Sequence, residues 1–425
     1  MSRPEPHTSK RNNETGEGPV EDHSVGTQPL TGIRVIAIEQ MQAMPFATQL
    51  LAWLGADVVK IEPLSGEAGR AASPSLTDVD GESVGATYLR NNLAKRTLSV
   101  DLKNPQGRRL VLEMIGNFDV LAENFKPGTL SRMGLGYDDV HRRHPDVVYA
   151  SVSGFGNDDT SPYREWPAYA PIVEAMAGFY DLRREEGSPP KVGLGAAFGD
   201  ICAAMFAAVG ILAGVHKRDR TGIGEHVDVA MFDAMIAFGD MICFMPSMGV
   251  PHPVRQPRGI VNAFAAADGY FVLAVLREHQ FARLANLIGS PGWLADPRLS
   301  SRSDWVAHIE DLIRPGIEAW ARDLTRMEAC SILASEGIAA GPSYTEQDIR
   351  SDPHVIAHKM LLEIDRPDTG SPLVISGQPI RFSESNCVAR GRWPQLGEHT
   401  ESLLQDELGI SSSGVDELRE MGIVR

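Results

Sequence analysis

The stretch Arg34-Val-Ile-Ala-Ile-Glu39 is followed by the helix-patterned run Phe46–Leu54, ended by Gly55, and then by Asp57-Val-Val-Lys-Ile-Glu62. Two short Val/Ile-rich runs thus flank one helical segment. Thr97–Leu102 and Asp119–Asn124 enclose a helix over Pro105–Asn117, and Asp146–Val152 is a further strand. Strands of this composition alternating with helices predict an α/β fold with a parallel sheet covered by helices. Ligands of such sheets sit beyond the carboxyl ends of the strands. Those ends are Glu39–Pro45, Glu62–Gly66, Asn124–Gly128 and Ser153–Gly156.

Further along, one carboxylate, Asp200, stands in an otherwise apolar stretch. It follows Gly193, Gly195 and Gly199 and opens the charge-free run Ile201–Val215. A charge there is costly unless it has partners or a task. The segment alone favours a helix N-cap; the alternative is a nucleophilic or acid/base carboxylate at a helix mouth. The run has fifteen residues. At about 1.5 Å per residue it falls short of a bilayer core of roughly 30 Å, so it reads as a buried helix. Lys217 to Gly224 then supplies basic residues and glycines that end it. Glu225–Met231 alternates as a strand and leads into another helix.

The chain has 425 residues, enough for two or three domains. Residues 1–28 are polar and turn-rich and read as a disordered tail. Residues 29–245 carry the β/α pattern. Pro246, Pro251, Pro253 and Pro257 mark a linker over 246–258. Residues 259–340 read as a smaller α+β unit, with a turn at Ala267-Asp268-Gly269-Tyr270, the strand Phe271–Val275, and helices at 278–289, 303–321 and 325–336. Residues 341–425 are loop-rich, with a strand at Leu373–Ile375 and an amphipathic tail from Glu398.

The formal charge of −16 argues against general nucleic-acid binding. Four separated cysteines without CxxC suggest neither a disulfide scaffold nor a metal site. Together with a start that lacks an apolar secretory core, they lead to the expectation of a reduced, cytoplasmic protein that does not enter a membrane. The first strand-to-helix turn, Glu39–Pro45, has no glycine, so the dinucleotide fingerprint is missing where it belongs. No GxxxxGK[ST] or HExxH occurs either. Candidate chemistry therefore falls to carboxylate, amide and hydroxyl groups.

Several stretches keep one order across nearly the whole chain after residue 29. They are Leu30-Thr-Gly-Ile-Arg-Val-Ile36, Gln42-Ala-Met-Pro45, Leu54-Gly-Ala-Asp-Val-Val-Lys-Ile-Glu-Pro63 and Asn92-Leu-Ala-Lys-Arg-Thr-Leu-Ser-Val-Asp-Leu102. Glu123-Asn-Phe-Lys-Pro-Gly128 with Arg132-Met-Gly134, Ser153-Gly-Phe-Gly156, Gly199-Asp200, Arg220-Thr-Gly-Ile-Gly224 and Gly397-Glu-His-Thr400 follow. This ordered set resembles the family III CoA-transferases (CaiB/BaiF family), which include formyl-CoA:oxalate and carnitine CoA-transferases and the related α-methylacyl-CoA racemases.

The resemblance implies a Rossmann-like large domain built from the N-terminal part and the return segment, with an inserted smaller α+β domain. It also implies an interlocked, ring-like homodimer. It assigns Asp200 as the catalytic carboxylate, which attacks an acyl-CoA thioester and carries first an acyl anhydride and then a CoA thioester. Gln42 and Ala43 match the loop that meets CoA and the reacting acyl group. Asn92 and Lys95 match the loop at the nucleotide end of CoA, and Asn124, Phe125 and Arg132 the next CoA-binding loop. Tyr169 stands where racemases carry a histidine that serves as second base. A phenol with a reference pKa of about 10 is a poor base at neutral pH, so transferase is preferred over racemase or epimerase. The implied substrates are an acyl-CoA and a carboxylic acid, with coenzyme A as part of the substrate, no tightly bound cofactor and no metal. Pro63 stands where some members carry an arginine, and Pro167 where the formyl-CoA transferase has a lysine. Gly259 is the lone glycine of Arg255–Phe264. These departures argue against formyl-CoA and oxalate and leave a larger acid, dicarboxylates included, as the expectation, with no single residue behind it.

Overall fold

A computed structural model describes residues 28–182, 184, 187–193, 195–250 and 259–425. Apart from Gln28 the expected tail lies outside the described residues, as does 251–258 of the expected linker.

Six strands form one sheet: β1 (Arg34–Ile38), β2 (Asp57–Glu62), β3 (Arg96–Ser99), β4 (Val120–Glu123), β5 (Val148–Ser153) and β6 (His226–Ala230). Their spatial order is β3-β2-β1-β4-β5-β6, and every pairing is parallel. The order reverses between β1 and β4, which opens a crevice at their carboxyl ends.

Alternate residues of each strand face opposite sides, and here both sides are buried. Val35 and Ala37 join Val58, Val120, Ala122, Val148 and Ala150 under two helices, α1 (Ala43–Trp53) and α4 (Phe198–Thr221). Ile36 and Ile38 join Val59, Ile61, Leu121 and Tyr149 on the other side. That side is closed partly by the far end of the chain, through Leu403, Leu404, Val415, Leu418 and Val424. The expected β/α elements are therefore present, with ends that differ by a few residues. What the sequence reading misses is a connection between β2 and β3. It holds the hairpin Ser75–Thr77 with Ser83–Gly85 and the short helix α2 (Ala86–Asn91). These pieces are too short to show a period.

Residues 260–342 form a three-stranded antiparallel sheet of Ile260–Ala266, Gly269–Val275 and Ala339–Pro342, with a hydrophobic cluster of their own. The helix expected over 303–321 is broken into Arg302–Ala307, a π-turn at Ile309–Ile313, and Arg314–Ala321. Pro315 has no N–H to continue a regular ladder at that point. The return segment adds the hairpin Leu361–Ile364 with Leu373–Ser376 and the helices Thr400–Leu408 and Ser412–Glu420.

The helix α4 begins earlier and ends later than its apolar run, stopping at Gly222 in the left-handed region (φ 73°). It lies against β5 and β6, and Gly214 makes that approach possible. A Cβ there would stand 2.8 Å from Val148 Cγ1 and 3.4 Å from Val227 Cγ2. Gly214→Leu is expected to overpack this contact and lower stability by about 1–3 kcal/mol, read as a lower urea midpoint.

Candidate active site

Asp200 is the third residue of α4; the N-cap is Ala197, whose side chain cannot cap. The capping reading of Asp200 is therefore corrected. The cap comes from another helix, α3 (Ala170–Met176), whose buried Glu174 accepts the Gly199 N–H at 3.2 Å and also the Tyr180 hydroxyl. Gly199 lets α3 come this close: a Cβ at 199 would lie 2.7 Å from Val173 Cγ2 and 2.9 Å from Ala170 Cα. With the cap supplied by Glu174, the Asp200 carboxylate is left over for another task.

The backbone N–H groups of Asp200 itself and of Ala43, the first residue of α1, lie near enough to that carboxylate to favour its charged form. Two helix N-termini thus meet on one carboxylate, and both dipoles favour negative charge there. Burial nevertheless pushes Asp200 up, and the Glu174 charge adds to it, while the Arg90 guanidinium draws it down. The result is a pKa of about 6.

The loop that delivers Ala43 is held on all sides. Met41 has φ 61°, a left-handed conformation that disfavours side chains. Its N–H donates to Glu67 Oε2 at 3.1 Å. The neighbouring Gln40 exchanges two hydrogen bonds of 2.9 Å with the Asn124 side chain, N–H to Oδ1 and Nδ2–H to the carbonyl. Glu39 accepts from Lys95 at 2.7 Å and from the Thr48 hydroxyl at 2.8 Å. Burial pushes Glu39 up, but Lys95 and Lys60 outweigh it and hold its carboxyl below the ordinary range. A second buried group, Glu62 with Arg70 (2.7 and 2.8 Å), Tyr88 and Thr97, braces the floor of the adjoining cleft.

Two hollows adjoin this loop. A cleft of about 760 Å³ at the carboxyl ends of β1, β2 and β4 is lined by Gln40, Pro63, Lys103, Phe125 and Met133 among others. A second, of about 890 Å³, is lined by Gln42, Phe46, Arg90 and Ile201, the residue after Asp200, with Leu373–Ser376 as its far wall.

The family model for CoA-transferase family III matches residues 30–400. The chain belongs to CoA-transferase family III. It is 34% identical over 392 residues to the succinyl-CoA:mesaconate CoA-transferase of Haloarcula hispanica, covering 90% of this chain and 97% of the relative. It is 31% identical over 422 residues to the formyl-CoA:oxalate CoA-transferase of Streptomyces avermitilis, covering 94% and 100%. The crystal structure of a CaiB/BaiF family protein from Brucella suis superposes with a TM-score of 0.77 at 31% identity, covering 89% of this chain and 99% of that one. The protein is thus a CoA-transferase.

Within this CoA-transferase, the residues singled out from sequence have different fates. Asp200 and Ala43 come together, and Gln42 stands beside them with its Oε1 accepting from Arg90. Phe125 lines the strand-end cleft, and Arg132 is exposed beside it on the short helix Thr129–Arg132. Tyr169 is the N-cap residue of α3, 71% exposed.

Asn92 and Lys95 differ from the expectation of a direct CoA contact. Both are buried. The three donors of Lys95 are all used, on Glu39, on the Pro45 carbonyl at 2.9 Å and on Asn92 Oδ1 at 3.0 Å. Asn92 spends its remaining amide on the Tyr88 carbonyl. These two residues support the loop from beneath. Asn124 also spends its side chain on the loop, through Gln40. Sequence reasoning misses Glu174, Glu67, Arg90 and Lys103. Each lies in a segment without a motif, and only the fold brings it to the site.

The raised pKa has two readable consequences. An activity that depends on the ionised form of Asp200 is expected to lose kcat/KM as pH drops through about 6. Glu174→Gln removes the like charge and should move that limb to lower pH. Because the folded-state pKa is raised, Asp200 favours folding only while protonated, and that contribution is lost as pH rises through about 6. Asp200→Asn should therefore stabilise the protein above pH 6, by about 1–3 kcal/mol, and give no gain at pH 4. Paired thermal melts across pH check this.

Proposed function

We infer that Asp200 is a covalent nucleophile that moves CoA from an acyl-CoA donor to a carboxylic acid. The observation that carries this reading is the ionisable carboxylate held between two helix N-termini and freed from capping by Glu174. The Asp200 carboxylate attacks the thioester carbonyl, the C–S bond breaks, and CoA leaves as thiolate. The thiolate then attacks the aspartyl carbonyl of the mixed anhydride, releasing the donor acid and leaving an Asp200–CoA thioester. The acceptor carboxylate attacks that thioester and expels CoA thiolate. The thiolate finally attacks the acceptor's carbonyl, giving the new acyl-CoA and restoring Asp200. No proton is consumed or released. The Ala43 and Asp200 N–H groups are placed to steady the oxyanions that form on the aspartyl carbonyl.

The nucleotide end of CoA fits the cleft beyond β1, β2 and β4, with Phe125 as an apolar wall and Lys103 and Arg132 as the nearby cations. The names of relatives that act with succinyl-CoA support a carboxylate-bearing acyl donor. We assign residues 259–340 to an inserted small domain and residues 341–425 to the return segment of the large one. One side of α4 is exposed and apolar (Met205, Phe206, Val209, Leu212), as are Phe238, Met241 and Phe244. A second copy of the chain, interlocked with the first, would cover this surface. In that reading α4, which is long and apolar enough to cross a membrane, is a core and interface helix of a cytoplasmic homodimer.

Incubation with succinyl-CoA followed by hydroxylamine should convert Asp200 to a hydroxamate detectable by peptide mass spectrometry. Asp200→Ala should give no adduct and lose CoA exchange by at least about 10³-fold. Wild-type exchange rates in that variant would refute the mechanism.

A further inference from the structure

We propose that Arg90 determines acid specificity by receiving the distal carboxylate of a dicarboxylic acyl group whose other carboxyl carbon reacts at Asp200. This deepens the nucleophile reading above and rests on it. Arg90 lies in the last turn of α2, between buried Leu89 and Asn91, yet its own side chain is exposed and lines the hollow beside Asp200. Other arginines near this loop are spoken for: Arg70 is bidentate on Glu62, and Arg96 on Asp57 (3.0 and 2.6 Å). Among the described residues Arg90 makes no ion pair. Its guanidinium donates one hydrogen bond to Gln42 Oε1, which leaves most of its five N–H donors free.

The other walls of this hollow, which reaches Ile201 next to Asp200, suit a short hydrocarbon linker. Phe46, Leu89, Ile201, Leu373 and Ile375 contribute apolar side chains. Gln49, a polar member of the wall, is tied to the backbone, accepting from the Leu93 N–H at 2.7 Å and donating to the Arg90 carbonyl at 2.8 Å. The hollow therefore offers Arg90 as its charged group and apolar surface along the way. Arg90 is near enough to Asp200 to draw its pKa down. A dicarboxylate meets both ends: its free carboxylate takes the guanidinium fork in a charge-assisted pair. The monocarboxylic acid of equal length would leave that fork facing a methyl group.

The test is the single-turnover rate at which the Asp200–CoA thioester discharges to succinate against butyrate, and to glutarate against valerate. Wild type is expected to favour the diacid of each pair. Arg90→Gln, which keeps a hydrogen bond to Gln42 available, should lower the diacid-to-monoacid ratio by about 10- to 100-fold. Arg90→Lys should restore part of it. An unchanged ratio in Arg90→Gln, an equal loss on both acids, or no diacid preference in wild type would overturn the proposal. Hydroxylamine trapping in the same samples separates the two levels. An adduct with an unchanged ratio removes only the role of Arg90, and failure of wild type to form any adduct removes the nucleophile reading beneath it.

Discussion

The site depends on one buried ammonium group. Lys95 sits under the loop after β1 with its three donors committed to Glu39, Pro45 and Asn92. The link to Glu39 fixes where β1 ends, and the link to the Pro45 carbonyl fixes where α1 begins. Between those anchors the chain must pass through the left-handed Met41 and arrive with the Ala43 N–H facing Asp200. A buried ion pair contributes little net stability. Here it contributes geometry: removal of the ammonium would strip Glu39 of its nearest cation and release the Pro45 carbonyl, leaving the loop to its anchors at Asn124 and Glu67.

Charge is managed differently on the two sides of that loop. Beneath it, Glu39, Glu62 and Glu67 are set among Lys60, Lys95 and Arg70, and these cations hold the Glu39 and Glu62 carboxyls below the ordinary range although both are buried. Above it, Asp200 has no salt bridge among the described residues and is steadied by backbone N–H groups and helix ends. An ion-paired carboxylate would be a poor nucleophile. One steadied by dipoles keeps its lone pairs available and its affinity for protons near neutrality.

Much of this was legible from the chain. The β/α alternation predicts the sheet because Val/Ile runs such as Val35–Ile38 are buried on both faces, and that pattern survives without any tertiary information. Asp200 stands out because a lone carboxylate in an apolar helix demands an explanation. What the chain conceals is who serves whom. Lys95 and Asn124 look like ligand contacts, yet the fold spends all three donors of Lys95 and two hydrogen bonds of Asn124 on the loop itself. Arg90 looks like one surface arginine among many, because the wall that gives it a role comes from Leu373–Ser376, far away in sequence. Glu174 shows no capping signature because it caps a helix other than its own.

The return segment has a further consequence for how the chain comes together. Strand β3 is the edge of the parallel sheet, and a segment from His399 onward ties down its outer side. The Thr97 N–H meets His399, the Ser99 N–H meets the Thr400 hydroxyl, and the Arg425 N–H reaches the Ser99 carbonyl at 3.2 Å. The Ser99–Thr400 contact spans 301 positions. The edge of the sheet is thus closed by residues about 300 positions further along the chain, so β3 reaches its full pairing only when that late segment has folded back onto it.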